Sequence, residues 1–195
     1  MKKAIIPIIL AAVLLLASCA DPDYSPKPSA YLRIDMPSHA YQLVDTAALP
    51  FTFERSTASQ LTIKKDTPAE QYIDITYPQY AGAVVYLTYK RLASPDALQG
   101  QVDTAYRLLS QHFDYSTGVR DQMIDYPQDR VYTTTYQITG SRAASPYQFY
   151  ATDSAQHFLR GSLFFSVTPN NDSLAPVIQY IEADITHLLE TLKWR

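Results

Sequence analysis

After residue 30 the chain falls into short runs of alternating apolar and polar residues, each bounded by Pro, Ser, Asp or Gly. Period-two alternation of this kind predicts half-buried strands. Four runs stand out, over residues 31–34, 51–54, 72–77 and 84–89, with a weaker one over 61–63. Pro78 and Gly82 suit a hairpin between the last two. At Ser94-Pro95-Asp96 the period changes, because Ser is a good N-cap, Pro fits the first helical position and Asp favours the positive helix start. Leu98, Val102, Ala105, Tyr106, Leu109 and Phe113 then recur at three- and four-residue spacing, which predicts a helix with one apolar face, slightly weakened by Gly100. Strands return over 131–138, 145–151 and 157–167. In the last, Phe158 and Phe164 fall on one side and Leu159, Leu163, Phe165 and Val167 on the other, so this strand is predicted to be central.

Asn170-Asn171-Asp172-Ser173 leads into a second helix, whose Leu174, Val177, Ile178, Ile181, Ile185, Leu188, Leu189 and Leu192 form a regular apolar stripe. Pro176 is placed in its first turn, where the missing N–H costs little. The stripe is expected to cover the domain's own sheet, with a partner-binding face as the alternative. Together these elements predict an α+β fold: a mainly antiparallel β-sheet layered with two principal α-helices, one after residue 94 and one C-terminal, in a single domain. A closed barrel is the competing architecture.

The N-terminus has a different pattern. Lys2 and Lys3 precede an apolar run over 4–16 broken only by Pro7, and Leu16-Ala17-Ser18-Cys19 closes it as a bacterial lipobox. The run is shorter than the roughly 20 residues a spanning helix needs, so it predicts a lipid anchor rather than a transmembrane segment. The expected organisation is a lipoprotein signal peptide over 1–18, an acylated Cys19 with a Pro-rich tether over 19–29, and one domain over 30–195. Two or more acyl chains, at about 0.8 kcal/mol per buried methylene, give lasting membrane attachment. Pro22, Pro26 and Pro28 favour an extended tether reaching roughly 30 Å at about 3.1 Å per residue, unless Tyr24 docks it.

Charge and composition then remove several chemistries. Loss of residues 1–18 takes Lys2 and Lys3 and moves the formal net charge from −3 to −5, with no basic cluster elsewhere. That disfavours nucleic acid. Cys19 is the only cysteine, so lipidation leaves no sulfur for disulfides, metal ligation or nucleophilic catalysis, and burial of apolar surface must carry the fold. Five dispersed glycines assemble no phosphate-binding loop, and His39, His112, His157 and His187 lack zinc-site spacing. No cofactor and no metal are expected. The 16 tyrosines lie mostly in predicted strands, where half-buried packing accounts for them and a glycan- or protein-recognition surface is the alternative. Trp194 is expected to pin the end of the last helix to the domain, with an interface role as the alternative.

One stretch holds candidate chemistry. Ser145, Asp153, His157 and Arg160 bring a hydroxyl, a carboxylate, an imidazole and a guanidinium close together in sequence, the makings of a nucleophilic triad. No Gly-flanked elbow presents Ser145, however. The favoured reading makes Thr152-Asp153-Ser154 a turn whose side chains bond the backbone. No catalytic residue is assigned, and Asp153, His157 and Arg160 are kept as possible partner contacts.

The order of segments resembles the gliding-motility lipoprotein GldD family over nearly the whole chain. The resemblance rests on the lipobox, Tyr24-Ser25-Pro26-Lys27-Pro28, Leu32-Arg33-Ile34-Asp35, Pro50-Phe51-Thr52-Phe53, Ile75-Thr76-Tyr77-Pro78 and Leu87-Thr88-Tyr89-Lys90. It continues through Ser145-Pro146-Tyr147-Gln148-Phe149-Tyr150, Thr152-Asp153-Ser154, His157-Phe158-Leu159-Arg160-Gly161-Ser162, Pro169-Asn170, Asp172-Ser173-Leu174-Ala175-Pro176 and Leu189-Glu190-Thr191-Leu192-Lys193-Trp194. It implies a non-catalytic outer-membrane lipoprotein supporting gliding motility and the associated type IX secretion machinery. The implied partners are other gliding-motility lipoproteins or secretion-machinery components, and the membrane through its lipid. An envelope glycan- or peptidoglycan-binding module is the alternative. The resemblance also implies a pairing. Many members of the family that the chain resembles carry cysteines at the places held here by Leu49 and Gln71, and if those cysteines form a bridge, Leu49 and Gln71 should lie with Cα atoms within about 7 Å.

Overall fold

The computed structural model describes residues 36–195. Cys19, the Pro-rich tether and the strand expected over 31–34 lie outside the described residues. Within them the element order is β1 (Tyr41–Val44), β2 (Phe51–Ser56), β3 (Gln60–Asp66), β4 (Glu70–Tyr77), β5 (Ala83–Arg91), α1 (Ala97–Ser110), a single 3₁₀ turn (Phe113–Tyr115), β6 (Gly118–Tyr126), β7 (Val131–Thr139), β8 (Tyr147–Thr152), β9 (His157–Phe164), α2 (Asn171–Glu190) and β10 (Lys193–Trp194). Seven strands form an antiparallel sheet in the order β3-β4-β5-β9-β8-β7-β6, and β1-β2-β10 form a second, three-stranded one. The fold is therefore the expected α+β layering with open sheets.

The strand with two apolar faces is the middle one of the seven. Leu159 and Leu163 of β9 point into the main core, while Phe158 packs with Leu92 and Ala105 on the opposite face. Gly161 lies directly across from Phe149, whose ring occupies the space a Cβ would need. Any side chain at 161 would enter that ring, which explains a glycine at the centre of a sheet. Strand β9 ends at Phe164, three residues before the run of apolar residues does, and Val167 is exposed.

Helix α2 and the small sheet cover one face. Its whole predicted stripe is buried, with Ile181 and Leu192 fully enclosed beside Phe51, Phe53, Ile73, Leu87 and Tyr89. The helix starts at Asn171, earlier than expected, with the Asn170 side chain at its N-cap. Pro176 therefore lies beyond the first turn, a correction to its placement, and the carbonyl it cannot bond belongs to exposed Asp172, within reach of water. After the helix, β10 pairs Trp194 with Phe51 of β2, and Trp194 Nε1 donates to the Arg130 carbonyl at 3.1 Å.

Helix α1 lies on the other face and buries less, with only Ala105 and Leu109 fully covered. It begins two residues later than a Ser94 cap requires. Ala97 N–H donates to the Ser94 carbonyl at 3.0 Å and Leu98 N–H to the Pro95 carbonyl at 3.1 Å, so Ser94-Pro95-Asp96 make a tight turn ahead of the helix. Tyr106 is largely exposed rather than packed, and Phe113 sits in the 3₁₀ turn beyond the helix end.

Three strands carry no clear sequence signal. Strand β6 is exposed at nearly every position, so neither face shows an apolar alternation; β1 has four residues and β10 two. The segment entering the domain at β1 is nonetheless held firmly. His39 stacks on Tyr180 at 4.2 Å and Tyr41 on His187 at 3.6 Å, with the ring planes within 13° and 11° of parallel. Buried Asp184 of α2 binds His39 Nδ1 at 2.7 Å and accepts the Tyr77 hydroxyl at 3.0 Å, while His187 Nε2 meets Glu54 at 2.6 Å. Burial and Asp184 push the Tyr41 hydroxyl up to about 12. On the same face Gln71 Nε2 donates to the carbonyl of Ala48 at 2.6 Å, so the Gln71 side chain reaches the residue next to Leu49, and both positions are buried.

Candidate functional site

The segment from Thr152 to His157 turns the chain from β8 into β9, and its polar residues build that turn. Asp153 Oδ1 accepts the N–H groups of Ala155, Gln156 and His157 at 2.8–2.9 Å, and the Thr152 hydroxyl donates to the His157 carbonyl at 2.7 Å. Ser154, at φ 63, takes the left-handed position at the tip. Burial pushes the Asp153 carboxyl up, but the three N–H donors outweigh it and hold the group below the ordinary carboxylate range. Its second oxygen faces Arg130 Nη2 at 3.8 Å.

His157 opens β9 with its ring against Trp194, stacked at 5.0 Å, and its Nδ1 shares a 3.0 Å hydrogen bond with the Tyr89 hydroxyl. Burial lowers its affinity for a proton; Asp153 opposes that shift, and Arg91 and Arg130 add to it. These residues surround a polar cleft of about 340 Å³ floored by His157 and Trp194 and walled by Asp129, Arg130, Asp153 and Arg195. Arg195 is tied back to Asp45 and to the Thr46 carbonyl.

Arg160 is not part of this cleft. Residues 157 and 160 of one strand differ by an odd number, so their side chains leave opposite faces of the sheet. Arg160 emerges under α1, where Nη2 donates to Gln148 Oε1 at 2.8 Å, and among the described residues it makes no ion pair. Ser145 joins neither group. It is fully buried with an unpartnered hydroxyl, and it precedes β8 whereas His157 follows it, a strand length on the order of 20 Å apart. The triad arrangement is thereby excluded. Of the four candidates, only Asp153 and His157 meet.

On the α1 side lies a second concavity, of about 190 Å³, between the helix and strands β4, β5 and β9. Gln101, Thr104, Ala105 and Leu108 line it from one helical stripe, and Thr88, Lys90, Phe158, Arg160, Tyr72 and Glu70 line it from the sheet. Among the described residues no three His, Cys, Asp or Glu side chains converge as a metal site, and no helix is long and apolar enough to cross a membrane.

A protein-family model described as gliding motility lipoprotein GldD matches residues 21–194. The chain belongs to that family. No curated protein and no solved structure matches it significantly. Membership in the GldD family carries a role in gliding motility and, for a lipoprotein, association with a membrane through a lipid anchor. The matched region begins two residues after Cys19 and includes the Asp153 turn, the central strand and the whole of α2.

Several residues that organise the GldD domain's surface had no separate signal. Lys90 and Gln101 reach the α1 groove from elements far apart in sequence, and Arg130 reaches the Asp153 cleft from the β6–β7 turn. Asp184 did have one: an acid at the centre of an otherwise apolar helical stripe marks a buried polar contact.

Proposed function

We propose that this protein is an outer-membrane lipoprotein, acylated at Cys19, that supports gliding motility and the associated type IX secretion machinery by binding other envelope proteins, without catalysing a reaction. The observation that carries the reading is the family match over residues 21–194. The treatment of the polar motif agrees with it, because Asp153 is consumed in holding a turn and Ser145 is buried away from His157. Its partners are other gliding-motility lipoproteins or secretion components. The cleft floored by His157 and Trp194 is the contact we favour on this side, since it presents a half-buried aromatic beside two arginines. The stacks of His39 on Tyr180 and of Tyr41 on His187 hold the first described residues against α2.

The test is deletion in the native organism, followed by complementation. Loss of surface spreading and of type IX cargo release, restored by the wild-type gene but not by Cys19→Ala, is the expected result. In-cell crosslinking from a photoreactive residue at Arg130 should then capture envelope lipoproteins. Normal spreading and secretion in the deletion strain would refute the proposal.

A further inference from the structure

The α1 face of the sheet holds a cation, Arg160, that makes no ion pair among the described residues. Arg160 sits between helix and sheet and spends one N–H on the neutral amide of Gln148. Burial lowers its proton affinity, and it in turn helps to lower that of His112 at the end of α1. Beside it, the cross-strand pair Gln148 and Ser162 is buried, with Gln148 Nε2 and Ser162 Oγ unpartnered. Lys90 adds a second charge to the same groove, only loosely offset by Glu70 at 3.6 Å. A half-buried guanidinium costs solvation free energy that is recovered when an anion docks on its planar donor fork.

The surroundings specify the rest of the ligand. Strands β4, β5 and β9 are each paired on both edges, so the groove floor offers no free backbone to an extended peptide. It offers side-chain hydroxyls and an amide from Thr88, Thr104 and Gln101, and the partly exposed ring of Tyr72. An aromatic face beside hydroxyl and amide groups suits a sugar ring, and a volume of about 190 Å³ suits one residue of it.

We propose that the groove between α1 and strands β4, β5 and β9 binds an acidic saccharide of the uronic-acid class, its carboxylate on Arg160 and its ring against Tyr72. The site lies on the opposite face from the His157 cleft, and its test contains no partner protein. Its failure therefore leaves the motility reading standing.

The experiment is calorimetric titration of the full acylated chain in detergent with trigalacturonate, with a neutral trisaccharide of the same length, and with triglutamate. Trigalacturonate should bind saturably, and the other two at least about tenfold more weakly. Arg160→Gln should weaken trigalacturonate about tenfold, as loss of a charge-assisted pair does. Lys90→Gln and Tyr72→Leu should each weaken it about threefold on the same scale. Arg130→Gln, in the opposite cleft, should leave it unchanged. If Arg160→Gln fails to fold, the Lys90 and Tyr72 variants decide. No saturable binding of trigalacturonate, equal binding of the neutral sugar, equal binding of triglutamate, wild-type affinity in a folded Arg160→Gln variant, or wild-type affinity in both the Lys90 and Tyr72 variants would each overturn the proposal.

Discussion

The two faces of the seven-stranded sheet are built to different standards. The face under α2 is closed by a twenty-residue helix and a second sheet, and its interior is nearly all aliphatic and aromatic, from Phe51 and Phe53 to Ile181 and Leu189. The face under α1 is covered by a fourteen-residue helix that buries two of its side chains, and it includes Arg160, Gln148 and Ser162. Burial of apolar surface is worth about 25 cal/mol per Å², so the first face supplies most of the stability. The second keeps polar groups that weaken packing. A domain without disulfides can carry such a face only because the other is so fully packed.

The largest effect that should separate the faces is truncation of a core side chain. Phe51→Ala is expected to lower unfolding free energy by about 3–5 kcal/mol, and Leu109→Ala under α1 by about 2 kcal/mol, at the low end for a buried leucine. Urea unfolding of both variants checks this, and equal losses would erase the distinction. Next in size is a cross-link on the α2 side. Leu49→Cys combined with Gln71→Cys should form a disulfide on oxidation and add about 2–4 kcal/mol relative to the reduced double variant. Two thiols that remain titratable after oxidation would show that the positions do not meet bridge geometry.

A smaller effect concerns protons. The folded-state pKa values of His157 and His112 are both lowered by burial, so the unfolded chain binds more protons than the folded one as pH drops below the ordinary histidine value. Their neutral forms thus contribute stability that is present above about pH 6.5 and lost as pH falls through the folded values. His157→Phe and His112→Phe should each flatten the decline in urea midpoint between about pH 7 and 5. A decline as steep as in the wild type in both variants would contradict the assignment. The smallest effect is at the β6 end of the described sheet, where Met123 is 78% exposed. Met123→Ser should change stability by less than about 0.5 kcal/mol, as judged by thermal unfolding. A larger loss would mean that this edge is covered.

Legibility followed burial. Strands β4, β5 and β9 could be read because one or both faces are enclosed, which forces a period of two or a continuous apolar run; β6 could not, because exposure of both faces places no demand on its residues. In the candidate site, the Asp153 turn was legible because Thr, Asp and Ser side chains satisfy nearby backbone in local sequence. The opposed positions of His157 and Arg160 were implicit in strand parity, yet proximity in sequence suggested a single cluster. The Trp194–His157 stack had no such clue, since it joins the last two-residue strand to the middle of the sheet.

What the chain alone determined was therefore local: the lipobox, the periods of strands and helices, the apolar stripe of α2, and the turn residues, because each depends on spacing within a few positions. Which face Arg160 and His157 occupy together with residues from distant elements was decided only by tertiary structure. Strand order and helix placement bring Lys90, Gln101 and Arg160 to one groove and Arg130, His157 and Trp194 to another. Contacts between residues far apart in sequence depend on how layers close over the sheet, and no spacing along the chain encodes that closure by itself.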